Sequence, residues 1–230
     1  MKQYFYLVVL FFAISCSKKD TYIPKESVFF NDDFTTGTDS WMAVFADYPA
    51  GQETFYELKA FHATLPPPLD QTDGAFFISG NNHSDDLFMY LKKQFSGLKP
   101  NTSYTAKFTV DVASNAPSGG TGVGGPPGDG VSFGIGVTIA EPFNILAPNG
   151  YYRLNLDKGN QINSGPARKV IGTMGNGYDT WRYVLLRKEG TFSFTTDDTG
   201  RVWATVSTDS GFEATSALYY SRITMEFQEN

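Results

Sequence analysis

The sequence predicts an all-β protein, a two-sheet antiparallel β-sandwich, on three observations. Apolar residues recur at every second position in several short runs, the mark of strands with one buried face. Those runs are separated by clusters of Gly, Pro, Asn and Asp, with 23 Gly and 12 Pro in 230 residues. No window of helical length shows a convincing 3.6-residue period, which disfavours parallel β-α-β units and a helical bundle. Composition agrees: aromatics reach 16%, hydrophobic residues 41% and charged residues only 18%, which suits strands and excludes disorder as the main state. The length fits one domain. A formal charge of −6 with no long basic run excludes a nucleic-acid partner.

The chain opens with Lys2 and the uncharged run Tyr4 to Ile14, too short for a bilayer that needs ~20 apolar residues, so it reads as an export signal. Ala13-Ile14-Ser15-Cys16 resembles a bacterial lipobox. That resemblance implies a lipoprotein signal peptide over 1–15, cut before Cys16, whose thiol carries a diacylglycerol anchor. Residues 16–26 are then the lipidated cysteine and a polar tether reaching ~30 Å when extended, and the sandwich occupies 27–230. Three acyl chains together anchor stably where one does not. Ser17 after the cysteine implies sorting to the outer membrane. Cys16 is the only cysteine, so no disulfide forms within the mature domain.

The firmest strands are Tyr104-Ala106-Phe108-Val110-Val112, Val131-Phe133-Ile135-Val137-Ile139 and Val202-Ala204-Val206. Further strands are expected at Val28 to Phe34, Trp41 to Ala46, Phe55 to Phe61, Ala75 to Ser79, Leu87 to Phe95, Tyr151 to Leu156, Trp181 to Arg187, Phe192 to Thr195 and Leu218 to Phe227. Three loops are long: Leu65 to Gly74, Asn115 to Gly130 and Asp157 to Asn176. The second, rich in Gly and Pro but without a phosphate-loop ending, reads as a flexible hairpin tip. Thr208-Asp209-Ser210-Gly211 reads as a turn, because Asp and Ser bond their own backbone.

Gly97-Leu98-Lys99-Pro100-Asn101-Thr102-Ser103-Tyr104-Thr105-Ala106-Lys107-Phe108 forms a tight turn followed by a strand with Tyr104 and Phe108 on one face. This piece resembles the turn and strand of galactose-binding-like jelly-roll domains, which include many carbohydrate-binding modules. Asn31-Asp32-Asp33-Phe34 with Gly37 and Trp41 is similar to the opening of such modules. The run from Leu218 to Met225 is similar to their closing strand, except that Ser221-Arg222 stands where the family usually has an acid. The resemblance implies a jelly roll and a carbohydrate ligand; the departure weakens transfer of the family's structural calcium.

The densest polar cluster is Gly80-Asn81-Asn82-His83-Ser84-Asp85-Asp86, whose amides, imidazole and carboxylates suit sugar hydroxyls or Ca²⁺; a self-capped turn explains it equally well. Zinc is disfavoured, since only His62 and His83 are present and no thiolate helps. Trp41, Tyr48, Tyr151, Tyr152 and Trp181 are the candidate aromatic platforms, and Arg153 could bond an acidic sugar. The candidate ligand set is therefore Asn81, Asn82, His83, Asp85, Asp86, Trp41, Tyr151, Arg153 and Trp181. No nucleophile elbow or zinc-protease motif is present, so binding is favoured over catalysis. Three functions are carried forward: an envelope-anchored, non-catalytic carbohydrate binder; an assembly lipoprotein docking a protein partner; and a glycan-cleaving enzyme using carboxylates among Asp85, Asp86, Asp209 and Glu213. No cofactor is expected beyond a structural Ca²⁺ that the sequence does not place.

Overall fold

The computed structural model describes residues 27–230, so the expected signal peptide, Cys16 and the tether lie outside the described residues. Its strands are β1 (Ser27–Asp32), β2 (Met42–Ala46), β3 (Tyr48–Pro49), β4 (Lys59–Thr64), β5 (Gly74–Asn81), β6 (Leu87–Phe95), β7 (Ser103–Ser114) and β8 (Val131–Thr138). They continue with β9 (Asn144–Leu146), β10 (Tyr151–Leu154), β11 (Gly159–Asn160), β12 (Asn163–Ser164), β13 (Lys169–Thr173), β14 (Val184–Thr195), β15 (Val202–Ser210) and β16 (Thr215–Glu229). One sheet has the order β14-β7-β16-β5-β4, with β1 also on β16; the other runs β13-β8-β15-β6-β2. All pairings are antiparallel. From β5 onward the chain mostly alternates between the two sheets, as a jelly roll does. The all-β two-sheet sandwich is the observed architecture.

The period of two decides what the sheets bury. Phe108, Val110 and Val112 from β7, Phe133 and Ile135 from β8, Val206 from β15 and Ile223, Met225 and Phe227 from β16 meet in one core. Each such side chain contributes roughly 1.5–3 kcal/mol on burial. Tyr104 extends this core while its hydroxyl accepts the backbone N–H of Lys99 at 3.0 Å. That bond closes the Pro100-Asn101 turn, where Asn101 takes a left-handed φ of 50°. The motif from Gly97 to Phe108 thus folds as a turn that its own strand tyrosine locks.

The segment 139–168 folds across the outer face of the five-stranded sheet. Lys92 on β6 holds it through Glu141 at 2.6 Å and the Pro142 carbonyl at 2.7 Å. Arg168, 2% exposed, holds its far end by donating to Ser207 Oγ and Ser132 Oγ. A third, small sheet, β3-β10-β9, takes two of its strands from this strap and carries Arg153 to the end of the sandwich.

Several expectations need correction. Phe55 and Tyr56 lie in a turn, and the strand begins at Lys59. Trp181 precedes β14, which runs unbroken through Gly190 because Ile171 packs where a side chain would stand. Asp209 and Ser210 belong to β15, not to a turn. The loop from Asp157 to Asn176 contains β11, β12 and β13. The glycine-rich loop from Asn115 to Gly130 is not a free hairpin tip: Ser118 N–H bonds Tyr178 O, Glu213 N–H bonds Val123 O and Gly211 N–H bonds Gly130 O. Gly124 in this loop has φ 72° and packs against the Gly211 carbonyl, so no other residue fits there.

Candidate functional site

Six charged side chains from distant parts of the chain converge at one end of the five-stranded sheet. Asp47 follows β2, Asp86 leads into β6 and Asp209 projects from the outer face of β15. Arg153 comes from β10, Lys158 from the strap and Arg168 from the turn before β13. Asp209 is 0% and Asp47 3% exposed, and Lys158 only 8%. Lys158 Nζ donates to Asp209 Oδ2 at 2.6 Å and lies 3.0 Å from Asp47 Oδ2. Arg153 Nη1 donates to Asp47 Oδ1 at 2.8 Å and to Asp86 Oδ2 at 3.2 Å. Arg168 Nη1 stands 4.0 Å from Asp209 Oδ2. Three carboxylates meeting three cations leave no large net charge, the condition for burying ions at all.

Two oxygens fall outside this pairing. Asp86 Oδ1 and Asp209 Oδ1 are both buried and accept from no donor among the described residues. One proton shared between these two carboxyls satisfies both. Burial, followed by the charges of Asp47 and Asp209, pushes the Asp86 carboxyl up to about 7, so it holds that proton on the acid side of neutrality. Burial alone would lower the Lys158 ammonium, but Asp209 and Asp47 outweigh it and raise it above its usual value. For Arg168 burial wins and the shift is downward.

Oxygens of Asp47, Asp86 and Asp209 lie within 4.8 Å of one another, close enough to share a cation. The cation is already supplied, because the Lys158 ammonium sits against two of them. Calcium takes six to eight oxygens, and three carboxyls crowded by an ammonium and two guanidinium groups do not fit it.

Above the cluster an open cleft of about 300 Å³ has Asp47, Asp86, Arg153 and Lys158 at its floor and Asp157 and Asn160 at its rim. Arg153 lies over the Tyr151 ring at 5.0 Å. Among the described residues its guanidinium bonds protein only through Nη1, which leaves Nε and Nη2 as donors. Carboxylates and a guanidinium therefore share one opening, with the Tyr151 ring against the guanidinium.

The structure brings Asp86, Arg153 and Tyr151 together at this cleft and disperses the other predicted residues. Asn82 is 1% exposed and clamps backbone, donating to the carbonyls of Ser210 at 2.8 Å and Phe212 at 3.1 Å. Asn81 donates to Glu57. His83 is exposed, stacked on Phe55 with centroids 4.1 Å apart, and Asp85, with φ 58°, offers its backbone carbonyl to Gln161. Trp41 is core at 2% exposure, its indole N–H bonded to Asp32, and so is no platform. Tyr48 is also buried, packed between Tyr56 and Tyr152. Trp181 is 56% exposed but lies on a loop beyond Asn176, outside the cleft lining. Sequence reasoning missed Asp47 and Lys158, a single acid after an apolar strand and a single lysine in a loop, neither of which carries a local signal.

A carboxyl held protonated in the folded state gives stability a pH slope. With the folded value near 7 and the ordinary value 3.8, the folded chain retains a proton that the unfolded chain has released. Stability from this group is intact below the ordinary value, falls as pH rises toward the folded value, and levels off above it. Asp86→Asn keeps a donor toward Asp209 and is expected to flatten that slope. Urea midpoints between about pH 5 and about pH 8 measure it; an unchanged slope in the variant would count against the shared proton.

No protein-family model matches this chain, and no curated protein matches it. Among solved structures it is similar to the CBM22-1 xylan-binding domain of Paenibacillus barcinonensis Xyn10C, with 10% identity, 90% of this chain and 97% of that one covered, and a TM-score of 0.40. It is also similar to the CBM22-1-GH10 modules of Clostridium thermocellum xylanase 10B, with 13% identity, 85% of this chain covered and a TM-score of 0.39. A third is the enzymatically active domain of bacteriophage CBA120 tailspike protein 4, with 8% identity, 80% of this chain covered and a TM-score of 0.34. The chain spans 28% of the xylanase structure and 19% of the tailspike structure.

Proposed function

We propose that this chain is an envelope lipoprotein, anchored through Cys16, whose sandwich binds a carbohydrate in the Asp86–Arg153 cleft without cleaving it. The observation that carries the reading is Arg153, which lines an open cleft, packs against the Tyr151 ring and bonds protein only through Nη1 among the described residues. A sugar hydroxyl both donates and accepts, so it needs a carboxylate and a guanidinium within reach. A tyrosine ring adds a face for the apolar side of a pyranose. Binding rather than hydrolysis is favoured because Asp86 Oδ1 is buried without a donor among the described residues and Asp209 is itself wholly buried. A glycosidase holds two carboxyls about 5–10 Å apart with the scissile bond between them. Here the oxygens crowd within 4.8 Å, and a proton and an ammonium fill the space.

Affinity gels of varied polysaccharides test this directly. Retention of the wild type on at least one gel is expected, with at least a tenfold loss in Arg153→Ala and a smaller one in Tyr151→Ala. No retention on any gel, or full retention of Arg153→Ala, would sink the reading.

A second reading, an assembly lipoprotein, is favoured by one surface. Phe61, 51% exposed, lies ring to ring with Phe77 at 4.8 Å, and Phe77 with Tyr219 at 4.7 Å. They make an aromatic row on the outer face of the six-stranded sheet, of the kind that protein interfaces use. In-cell crosslinking from position 61 that captured no protein would remove its support.

A further inference from the structure

We propose that Lys158 and Asp209 condense into an intramolecular isopeptide bond, with Asp86 as the acid that promotes it. The proposal concerns groups beneath the cleft and does not depend on the ligand. Three features of the geometry point to it. The partners are rigidly presented: Asp209 lies inside β15, Lys158 is 51 residues away in sequence, and they meet at 2.6 Å. They are dry, at 0% and 8% exposure, with the Phe88 ring 4.8 Å from Lys158 Nζ. Finally, the acceptor carboxyl is crowded by polar groups. Asp209 Oδ1 is buried and accepts from no donor among the described residues, with an Asp86 carboxyl oxygen within 4.8 Å of the Asp209 carboxyl, while the Gln161 N–H at 2.9 Å and the Arg168 guanidinium at 4.0 Å face Oδ2.

The chemistry balances without a co-reactant. The Lys158 ammonium first gives one proton to Asp209 Oδ2 along their hydrogen bond, leaving a neutral amine and a carboxylic acid. The amine lone pair attacks Asp209 Cγ, forming the C–N bond, and the Asp86 proton steadies the charge that develops on Oδ1. Oδ2 then takes a second proton from the nitrogen and leaves as water as the C–O bond breaks. Asp86 ends with the proton it began with, and the products are one amide and one water. Condensation of a carboxylate with an amine is unfavourable in dilute water. Preorganised partners act at effective molarities of about 10⁵–10⁸ M, and the full burial of Asp209 limits the return of water to its carbonyl carbon. The bond would rivet the strap to the central strand of the sheet beneath it.

Mass spectrometry of the full chain, folded during purification and then denatured and digested with trypsin, tests this. The expected species joins peptide 154–168, uncut at Lys158, to peptide 202–222, lighter than their sum by one water. Lys158→Arg, which keeps the cation, is expected to abolish it, and Asp86→Ala to reduce it at least tenfold. Recovery of free peptide 154–158 in full yield from the folded wild type would overturn the proposal. Fragmentation that placed the amide on Asp47 would overturn the assignment to Asp209, and undiminished linkage in Asp86→Ala would overturn the role of Asp86.

Discussion

Asp209→Ala is expected to lower the melting temperature by about 10 °C, one of the largest single-site effects in the charged cluster. In the uncondensed chain, removing this wholly buried carboxylate takes the closest counter-ion from Lys158 and the nearest anion from Arg168; where the amide has formed, the crosslink is lost as well. It also strips Asp86 of the acceptor for its proton and leaves the Gln161 N–H without its partner at 2.9 Å. Breaking a buried ion pair by deleting one member costs about 3–5 kcal/mol, because the remaining charge stays desolvated. Lys158 keeps Asp47 at 3.0 Å, and Arg168 keeps Ser132, Ser207 and the Gln161 carbonyl, which places the loss near the lower end. At roughly 2–4 °C per kcal/mol for a domain of this size, that is the shift named. Asp157→Ala, at the exposed rim of the same cleft, is the control and is expected to stay within about 0.5 kcal/mol of wild type. Differential scanning calorimetry compares the two. A shift for Asp209→Ala no larger than for Asp157→Ala would mean that the cluster is not an interdependent set of buried charges.

Why Asp209 escaped a sequence reading is instructive about the rest of the fold. Strand β6 carries alternating core residues Leu87, Met89 and Leu91 and was legible at its observed bounds of Leu87–Phe95. Period two encodes which face is buried, and most of both sheets follows from it. Thr208-Asp209-Ser210-Gly211 has turn-forming residues, yet tertiary pairing with Phe88 and Ser132 keeps Asp209 in a ladder. The side chains that answer it come from elsewhere in the chain. Likewise β14 reads as two pieces because Gly190 interrupts its pattern, whereas the glycine makes room for Ile171. At the site, Asp86 and Arg153 stood out by local composition. Arg153 also holds Asp47, 106 residues away, and no local period records a contact of that range. The aromatic candidates divided by the same logic: an aromatic's neighbours in sequence do not tell whether it faces core or solvent, and Trp41 proved to be core while Tyr151 flanks the cleft.

Asn82→Ala is expected to cost about 3 kcal/mol of stability while leaving the carbohydrate affinity of the folded protein unchanged, although Asn82 stands in the cluster that looked most like a ligand site. Its amide is a planar connector with two donors and an acceptor. It reaches the carbonyls of Ser210 and Phe212 and accepts the backbone N–H of Ser84 at 3.1 Å, joining the end of β15 to the loop before β6. Alanine leaves those groups without partners, at about 1–3 kcal/mol for each that stays desolvated. Asn82→Asp is expected to be more damaging than alanine at neutral pH. A carboxylate of the same shape has no donor to offer, and it would set a negative charge against the two carbonyl oxygens that the amide now bonds. His83→Ala, on the exposed neighbour, removes a stack on Phe55, an edge contact with Tyr56 and one bond to the Phe55 carbonyl, and its stability is expected to stay near wild type. Chemical denaturation of the three variants, read with affinity-gel retention at a temperature where all are folded, separates the roles. An order of damage with aspartate below alanine, or an affinity loss that follows Asn82 rather than Arg153, would return this loop to the binding site and take it away from the framework.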